Sequence, residues 1–328
     1  MTLTVAPVLS SQRVAVWGLG PHARSRILPA IAASKSTLLA GVCTRDAQVG
    51  ARAAKDFETR YFANPEEMLR GPDVDVVYLA TPTGLHAEQG NAVLASGKHL
   101  WCEKSLAESA TAVRALVAQS QRAKLGVCEA FMYLHHPQWA QIRSLVSEEL
   151  GLLRSISSRF TMPSLDNPGF RHSAQLGGGA LLDVGCYPLS LALALCEGEP
   201  NVAASSVRSS RDLPVDTEGY ATLEFPNGCL VQLEWGYGRA YLNDLAISAE
   251  NGSLVADRVF SKSASNAPTI EVRDLRGNKR AVEVPDADAF VAMLDFFAKS
   301  VGDAAEMERL RGEALRQALN LERIAVRR

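Results

Sequence analysis

The chain has 328 residues, enough for about two domains with separate cores. Its 34 Lys and Arg nearly balance 36 Asp and Glu, and no basic stripe is interleaved with aromatic residues, which argues against nucleic acid as a partner. No apolar run approaches the roughly twenty residues of a membrane span, and residues 1–11 lack the charged and apolar blocks of a leader, so a soluble, cytoplasmic protein with a frayed tail at 1–11 is expected.

From residue 12 to 130, apolar runs alternate with amphipathic stretches. Strands are predicted at 13–17, 38–43, 74–80, 99–103 and 126–130, the pattern of a doubly wound parallel sheet. The first run turns into a helix, Arg24 to Ala33, through Gly18-Leu19-Gly20-Pro21-His22-Ala23. Gly18 allows a tight turn, Gly20 lets backbone N–H groups approach a pyrophosphate, and Ala23 lets the helix pack close, with the anion at the helix N-terminus. Asn64-Pro65-Glu66-Glu67 supplies a cap, a proline at the first helical position and acids in the first turn, and Gly97 marks a helix end.

The second run ends Val42-Cys43-Thr44-Arg45, without the terminal carboxylate that holds ribose hydroxyls in NAD-preferring folds; Asp46 follows one residue later. Thr44 and Arg45 suit a 2′-phosphate through charge-assisted hydrogen bonds, so NADP is expected, with NAD the second choice.

A helix is predicted over 137–150, and beyond Gly151 the alternation lengthens. Cys229, Val231, Leu233, Trp235 and Tyr237 share a face, and Pro226-Asn227-Gly228 joins their strand to 220–225 as an antiparallel hairpin. Further strands at 244–250, 253–260, 269–275 and 280–284 precede helices at 287–301 and 304–326, with an apolar helix at 180–195. The expected architecture is α/β: a Rossmann dinucleotide-binding domain over 12–130, then a substrate-binding and oligomerisation domain over 131–328 with an open, mostly antiparallel sheet. Its C-terminal helices are expected to pack back on the first domain. Cys43, Cys102, Cys128, Cys186, Cys196 and Cys229 are scattered without a Cys-x-x-Cys pair, which suits reduced core thiols, and His135-His136 point in different directions on a helix, so no metal is expected.

Three segments carry the chemistry: Thr81-Pro82-Thr83-Gly84-Leu85-His86 after the third predicted strand, Glu103-Lys104-Ser105 after the fourth, and Gly178-Gly179-Ala180-Leu181-Leu182-Asp183-Val184-Gly185-Cys186-Tyr187. The first two fall at the carboxyl ends of strands, where open α/β sheets bind ligands, and Asp183 and Tyr187 share a helix face. With Glu129-Ala130-Phe131-Met132-Tyr133 and His136-Pro137, in this order, they resemble the glucose-fructose oxidoreductase / inositol dehydrogenase (Gfo/Idh/MocA) family. The likeness covers nearly the whole chain from Arg13.

The resemblance implies hydride exchange between a nicotinamide and a sugar-like carbon, a homodimer or homotetramer built on the open face of the second sheet, and Lys104 touching substrate and helping catalysis. Chemistry supports that reading. A ketone that gains hydride becomes an alkoxide, which needs a cation nearby and an acid to supply a proton. Tyr187 is the candidate acid, its phenol drawn toward working pH by Lys104, and Asp183 is the candidate for orienting the lysine or a substrate hydroxyl. Tyr133 joins Lys104, Asp183 and Tyr187 as a candidate for substrate contact. The expected cofactor contacts are Gly18 to Ala23, Thr44, Arg45, Thr81, Pro82, Thr83, His86, Glu103, Lys104 and Arg171, with His86 equally a candidate helix cap and Arg171 part of an aromatic-Arg pair with Phe170.

The chain departs from the family pattern at Ser105, where proline is usual, and at Leu134, where arginine is common. A cis peptide before a non-proline residue costs about 2.5 to 4 kcal/mol, so the lysine's placement is the point to check. A tyrosine rather than a histidine at 187 resembles the nucleotide-sugar ketoreductase and dihydrodiol dehydrogenase branches, and 160–171 resembles a loop of the ketoreductases. The expectation is an NADP-dependent keto-sugar reductase. Its alternatives are an aldose or trans-dihydrodiol dehydrogenase and, in another class, a dinucleotide-sensing regulator without turnover, which would need neither Lys104 nor Tyr187.

Overall fold

The computed structural model describes residues 11–265 and 267–326. Of the tail expected at 1–11, residues 1–10 therefore lie outside the described residues. The first sheet has six parallel strands, β1 (Gln12–Trp17), β2 (Thr37–Cys43), β3 (Tyr61–Phe62), β4 (Val76–Leu79), β5 (His99–Glu103) and β6 (Val127–Ala130), in the order β3-β2-β1-β4-β5-β6. The chain reverses direction across the sheet between β1 and β4, so the crevice above their carboxyl ends is the ligand position of this topology.

Both faces of this sheet are covered, which is why its strands read as unbroken apolar runs. On one side Val77, Leu79 and Leu100 meet Val93 of α4 (His86–Ala95) and Leu116 of α5 (Ala110–Ala123); on the other Val16 and Trp101 meet the turn Ala23–Ile27, α1 (Leu28–Ala33) and later helices. Of two short helices with side-chain caps, the second has the cap read from the sequence and the first has one that the reading did not assign. Asp46 caps α2 (Ala47–Asp56) by accepting from Gln48 and Val49, and Asn64 caps α3 (Pro65–Arg70) by accepting from Glu67.

After α6 (Pro137–Leu145), β7 (Leu153–Met162) begins the second sheet. A winding turn Leu181–Gly185 and α7 (Cys186–Leu195) cross it before β8 (Asn201–Ser209), β9 (Asp216–Glu224), β10 (Leu230–Tyr237), β11 (Leu242–Ala249), β12 (Gly252–Asp257), β13 (Thr269–Asp274) and β14 (Lys279–Glu283). The order is β14-β13-β12-β11-β7-β10-β9-β8, antiparallel except for the β7–β10 pair. β3, β7 and β8 are elements that the sequence reading did not delimit, and Phe160 to Met162, read there as part of a loop, finish β7.

Helices α8 (Ala289–Ser300) and α9 (Ala304–Val326) return to the first sheet, where Arg311 of α9 donates to Ser120 Oγ (2.8 Å) and to the Leu125 carbonyl (2.7 Å). One continuous apolar cluster runs from Val14 and Trp101 through Phe131, Tyr187 and Trp235 to Leu254. Among the described residues one helical stretch, Ala174–Leu195, is long and apolar enough to cross a membrane, and most of it is buried inside the protein.

Candidate active site

Four of the segments singled out in the sequence meet along one edge, at the carboxyl ends of β1, β2, β4 and β5. Gly18 takes φ +101°, and a side chain there would collide with the Ala80 carbonyl carbon at 2.7 Å, so β1 and β4 can turn out side by side only with glycine at this point. A Cβ on Gly20 would meet nothing within 4 Å, which leaves the backbone at the helix start open to a ligand. Leu19, Ala23 and Thr83 are buried supports of the turns rather than exposed contacts. Past β2, Thr44 is half-buried and Arg45 is exposed, with no ion pair or hydrogen bond among the described residues. Asp46 is committed to capping α2.

The other end of this edge is enclosed. Lys104 Nζ lies 2.8 Å from Asp183 Oδ1, donates also to the Asp183 carbonyl (2.5 Å), and sits 5.2 Å from the centre of the Tyr187 ring. Arg171 Nε donates to Asp183 Oδ2 at 2.6 Å, and the Tyr237 hydroxyl lies 3.1 Å from the same oxygen. Asp183 therefore holds one cation on each oxygen. Burial by itself would raise its pKa, but the ammonium of Lys104 and the guanidinium of Arg171 outweigh it and hold the carboxyl well below the usual range. Lys104 is the mirror case: burial opposes its charge, and Asp183 more than restores it, so the ammonium persists at any working pH.

Local packing explains how Asp183 gets there. A Cβ on Gly185 would strike the Trp235 indole, so glycine lets the 181–185 turn rest on β10; Gly219, paired with Trp235 in register, makes room for the same ring from β9. Gly179 (φ +117°) lies against the Asp216 carboxylate, which accepts from the Leu181 N–H at 2.7 Å and so anchors the start of the turn. Asp183 thereby meets Lys104 at the end of β5, and Tyr187, one turn on, lies beside the same ammonium.

Tyr187 is 6% exposed and ringed by Phe131, Tyr133, Phe160 and Phe260. Its hydroxyl donates to Met132 Sδ at 3.7 Å, a weak acceptor, so its proton is loosely held. Burial pushes its pKa up, and Lys104 draws it down by less. The expectation that the lysine brings this phenol toward neutral pH is corrected: desolvation wins, and the phenol stays protonated.

Three other expectations change. Tyr133 is 1% exposed and its hydroxyl is bound to Ser190 Oγ at 2.7 Å, so it backs the Tyr187 ring instead of touching substrate. His86 neither caps α4 nor offers a free nitrogen. It is buried, with Nδ1 2.9 Å from the Ser105 carbonyl and Nε2 2.8 Å from the Thr81 carbonyl, and ties two strand-end loops together. Glu103 lies in the crevice but is engaged: His22 Nε2 is 3.1 Å from its Oε1 and the Tyr78 hydroxyl donates to the same atom at 2.8 Å. Thr81 Oγ1 donates to Gln89, and Pro82 leads into the short turn 83–85. The Lys104–Ser105 peptide is cis, and the lysine reaches Asp183 without a proline after it.

The sequence reading missed Tyr237, Asp216 and Met132 as members of the site. Tyr237 ends the inward face of its strand, where the alternation alone reads it as core. Beside Arg171 and Tyr237 opens a cavity of about 250 Å³, lined also by Ser164, His172, Ser210 and Thr217. Arg159 pairs with Asp244, and Arg239 with Glu218 and Glu234, so neither side chain is free for a diphosphate.

Residues 12–131 match the family model of the oxidoreductase family with an NAD-binding Rossmann fold, and residues 139–255 match the GFO/IDH/MocA C-terminal domain. The chain belongs to the GFO/IDH/MocA family. It is 32% identical over 311 residues to a dTDP-3,4-didehydro-2,6-dideoxy-alpha-D-glucose 3-reductase from Actinomadura kijaniata, covering 93% of this chain and 92% of that one. It is 29% identical over 287 residues to D-xylose 1-dehydrogenase (NADP(+)) 2 from Haloferax volcanii, covering 86% and 87%. Among solved structures, a 3-ketoreductase from Actinomadura kijaniata in complex with NADP and TDP-benzene superposes with a TM-score of 0.92 at 30% identity, covering 97% of this chain and 98% of that one.

Proposed function

We propose that the protein is an NADP-dependent oxidoreductase that reduces the carbonyl group of a keto-sugar, with nucleotide-linked keto-sugars as the first substrate class. The observation that carries this reading is the convergence of Lys104, Asp183 and Tyr187 in one enclosed corner of the Rossmann crevice. The similarity to a dTDP-sugar reductase and to a structure holding NADP and TDP-benzene supports the substrate class and the cofactor.

The residues present fit NADP. The turn Gly18–Ala23 would hold the pyrophosphate, since Gly20 faces open space and Gly18 alone permits the turn. Arg45, exposed and without a partner among the described residues, would hold the 2′-phosphate with Thr44, while Asp46, spent on a helix cap, is a poor partner for free ribose hydroxyls. β2 and β5 are three strand spacings apart, roughly 14 Å, which suits a dinucleotide laid from Arg45 to Lys104. When bound, the reduced nicotinamide supplies the hydride.

The chain's own groups handle the charge that follows. Lys104, fixed by Asp183, offers its ammonium to the oxygen of the carbonyl as negative charge grows there. Tyr187 gives that oxygen its proton, exchanging a weak thioether partner for a strong one. A phenol that burial keeps protonated has in place the proton that the alkoxide takes up. Arg171 steadies the far oxygen of Asp183, and the cavity beside it would accept the remainder of the substrate.

The same reading extends to assembly and location. The outward face of the second sheet carries Leu230 at 49% and Val255 at 43% exposure, and a second copy of the chain covering it would give the homodimer or homotetramer of the sequence expectation. Light scattering of the purified protein tests this. Six unbridged cysteines suit a reducing compartment, the cytoplasm.

The test of function is the loss of NADPH absorbance with free and nucleotide-linked keto-sugars. Turnover of a nucleotide-linked keto-sugar supports the proposal, and tight NADPH binding with no turnover of any carbonyl sugar overturns it in favour of a dinucleotide sensor. Faster oxidation of a free aldose by NADP would favour the dehydrogenase reading that the Haloferax relative suggests.

A further inference from the structure

Lys104 leaves β5 on a loop that is held by side chains. Ser105 Oγ donates to the Leu182 carbonyl at 3.1 Å, His86 reaches the Ser105 carbonyl, and the Leu106 backbone N–H donates to Glu129 Oε1 at 2.8 Å. Glu129 stands opposite Cys102 in the β5–β6 register, two residues before Lys104 on the neighbouring strand. It makes no ion pair among the described residues, and the reaction described above does not use it. Its carboxyl is bound to one backbone N–H of the lysine loop and lies close enough to Lys104 to interact with its charge.

We propose that Glu129 is a positioning residue for the carbonyl chemistry: through the Leu106 N–H it fixes the Lys104–Ser105–Leu106 loop so that the lysine meets Asp183 and the Tyr187 ring, and its charge sets how firmly the loop is held. A carboxylate accepts from an N–H about twice as strongly as a neutral acid does. The titratable groups facing Glu129 are Lys104 from the loop, Cys102 on β5 and Cys186 on α7. Burial, opposed by the Leu106 N–H and by Lys104, pushes the Glu129 carboxyl up to about 7, so its charge changes within the ordinary working range.

The inference rests on Lys104 acting on the carbonyl oxygen, but one arm of its test does not. The Leu106 amide resonance is followed by NMR from pH 5.5 to 8.5 in the full chain and in Glu129→Gln, whose amide oxygen keeps the acceptor and loses the charge. In parallel, kcat and the KM for NADPH are measured over the same range with the keto-sugar turned over in the substrate panel. The expected result is an amide shift with a midpoint near 7 that disappears in Glu129→Gln. The wild-type kcat should fall on the acid side of the same midpoint, opposite to the trend of a simple proton donor, and lie flat in the variant with the KM for NADPH unchanged. Glu129→Ala, which removes the acceptor, should lower kcat by about tenfold to a hundredfold, the scale of a small misplacement of a reacting group. A Leu106 amide that does not titrate overturns the contact, and one that titrates while kcat stays level overturns the positioning role. Absence of turnover with a titrating amide refutes the catalytic reading of Lys104 and leaves the hold on the loop standing.

Discussion

The two cations at the ends of the crevice sit in opposite surroundings. Arg45, past β2, is exposed and has no partner among the described residues; Lys104, past β5, is enclosed, with Asp183 on one side and an aromatic ring on the other. A solvated guanidinium is screened, so what it adds is affinity and a preference for a phosphate. A desolvated ammonium held in place before its target arrives needs no rearrangement when charge develops, so what it adds is rate. One fold thus separates coenzyme selection from chemistry by three strand positions.

The largest effect should come from the enclosed end. Replacing Tyr187 with Phe removes the proton donor while keeping the ring that packs on Phe131 and Phe160. The rate of NADPH oxidation should drop by about 10² to 10⁴, with NADPH binding intact by fluorescence titration. Full activity in this variant would erase the contrast between the two ends.

Asp183→Ala probes the ion cluster itself. It leaves the ammonium of Lys104 and the guanidinium of Arg171 buried without their shared carboxylate, which should destabilise the protein by about 3 to 5 kcal/mol in urea unfolding and abolish turnover. Because Asp183 has a lowered pKa, its stabilisation is present above the ordinary carboxylate range and is lost only as pH falls below it. A wild-type unfolding midpoint in the variant would mean that the cluster does not form.

At the solvated end, Arg45→Ala should weaken NADPH by about tenfold and NADH hardly at all, the scale of one charge-assisted contact to a phosphate. Equal weakening of both coenzymes would break the comparison at its other side.

Much of this was legible in the sequence because local rules and tertiary demands agree. The Gly18 turn, the cap at Asn64 and the turn at Pro226-Asn227-Gly228 each depend on neighbouring residues alone, and helix α9 spans the residues read from periodicity. β7 was not delimited because it is a central strand carrying polar residues: Ser158 and Thr161 are fully buried there, so its inward face does not read as apolar, and Arg159 on the other face pairs with Asp244. At the site, Lys104, Asp183 and Tyr187 stood out by type and spacing. Tyr133 was read as a substrate contact because it lies in the same motif, yet Ser190, far away in sequence, claims its hydroxyl. Tyr237 escaped notice because its strand face already explained it as core, and no local pattern discloses that Asp183 lies within reach. Glu129 was visible only as one letter of a motif, since its meaning depends on which backbone N–H lies above it.

The last effect concerns stability and would show whether the enclosed end also carries a cost. The Glu129 carboxyl has its pKa raised to about 7 in the folded protein, against an ordinary value near 4.5. A raised carboxyl favours folding while it is protonated in both states; that contribution is complete below the unfolded value and is lost as pH rises toward and through about 7. Glu129→Gln is neutral throughout, so its melting temperature relative to wild type should climb between pH 5 and pH 8. The full span corresponds to at most about 3 kcal/mol, or about 5 °C for a protein of this size. Arg45→Ala, whose side chain is solvated in both states, should show no such trend. A Glu129→Gln melting curve that keeps a constant offset from wild type across this range would mean that the carboxyl is as well solvated as Arg45, and that the contrast between the two ends stops short of β6.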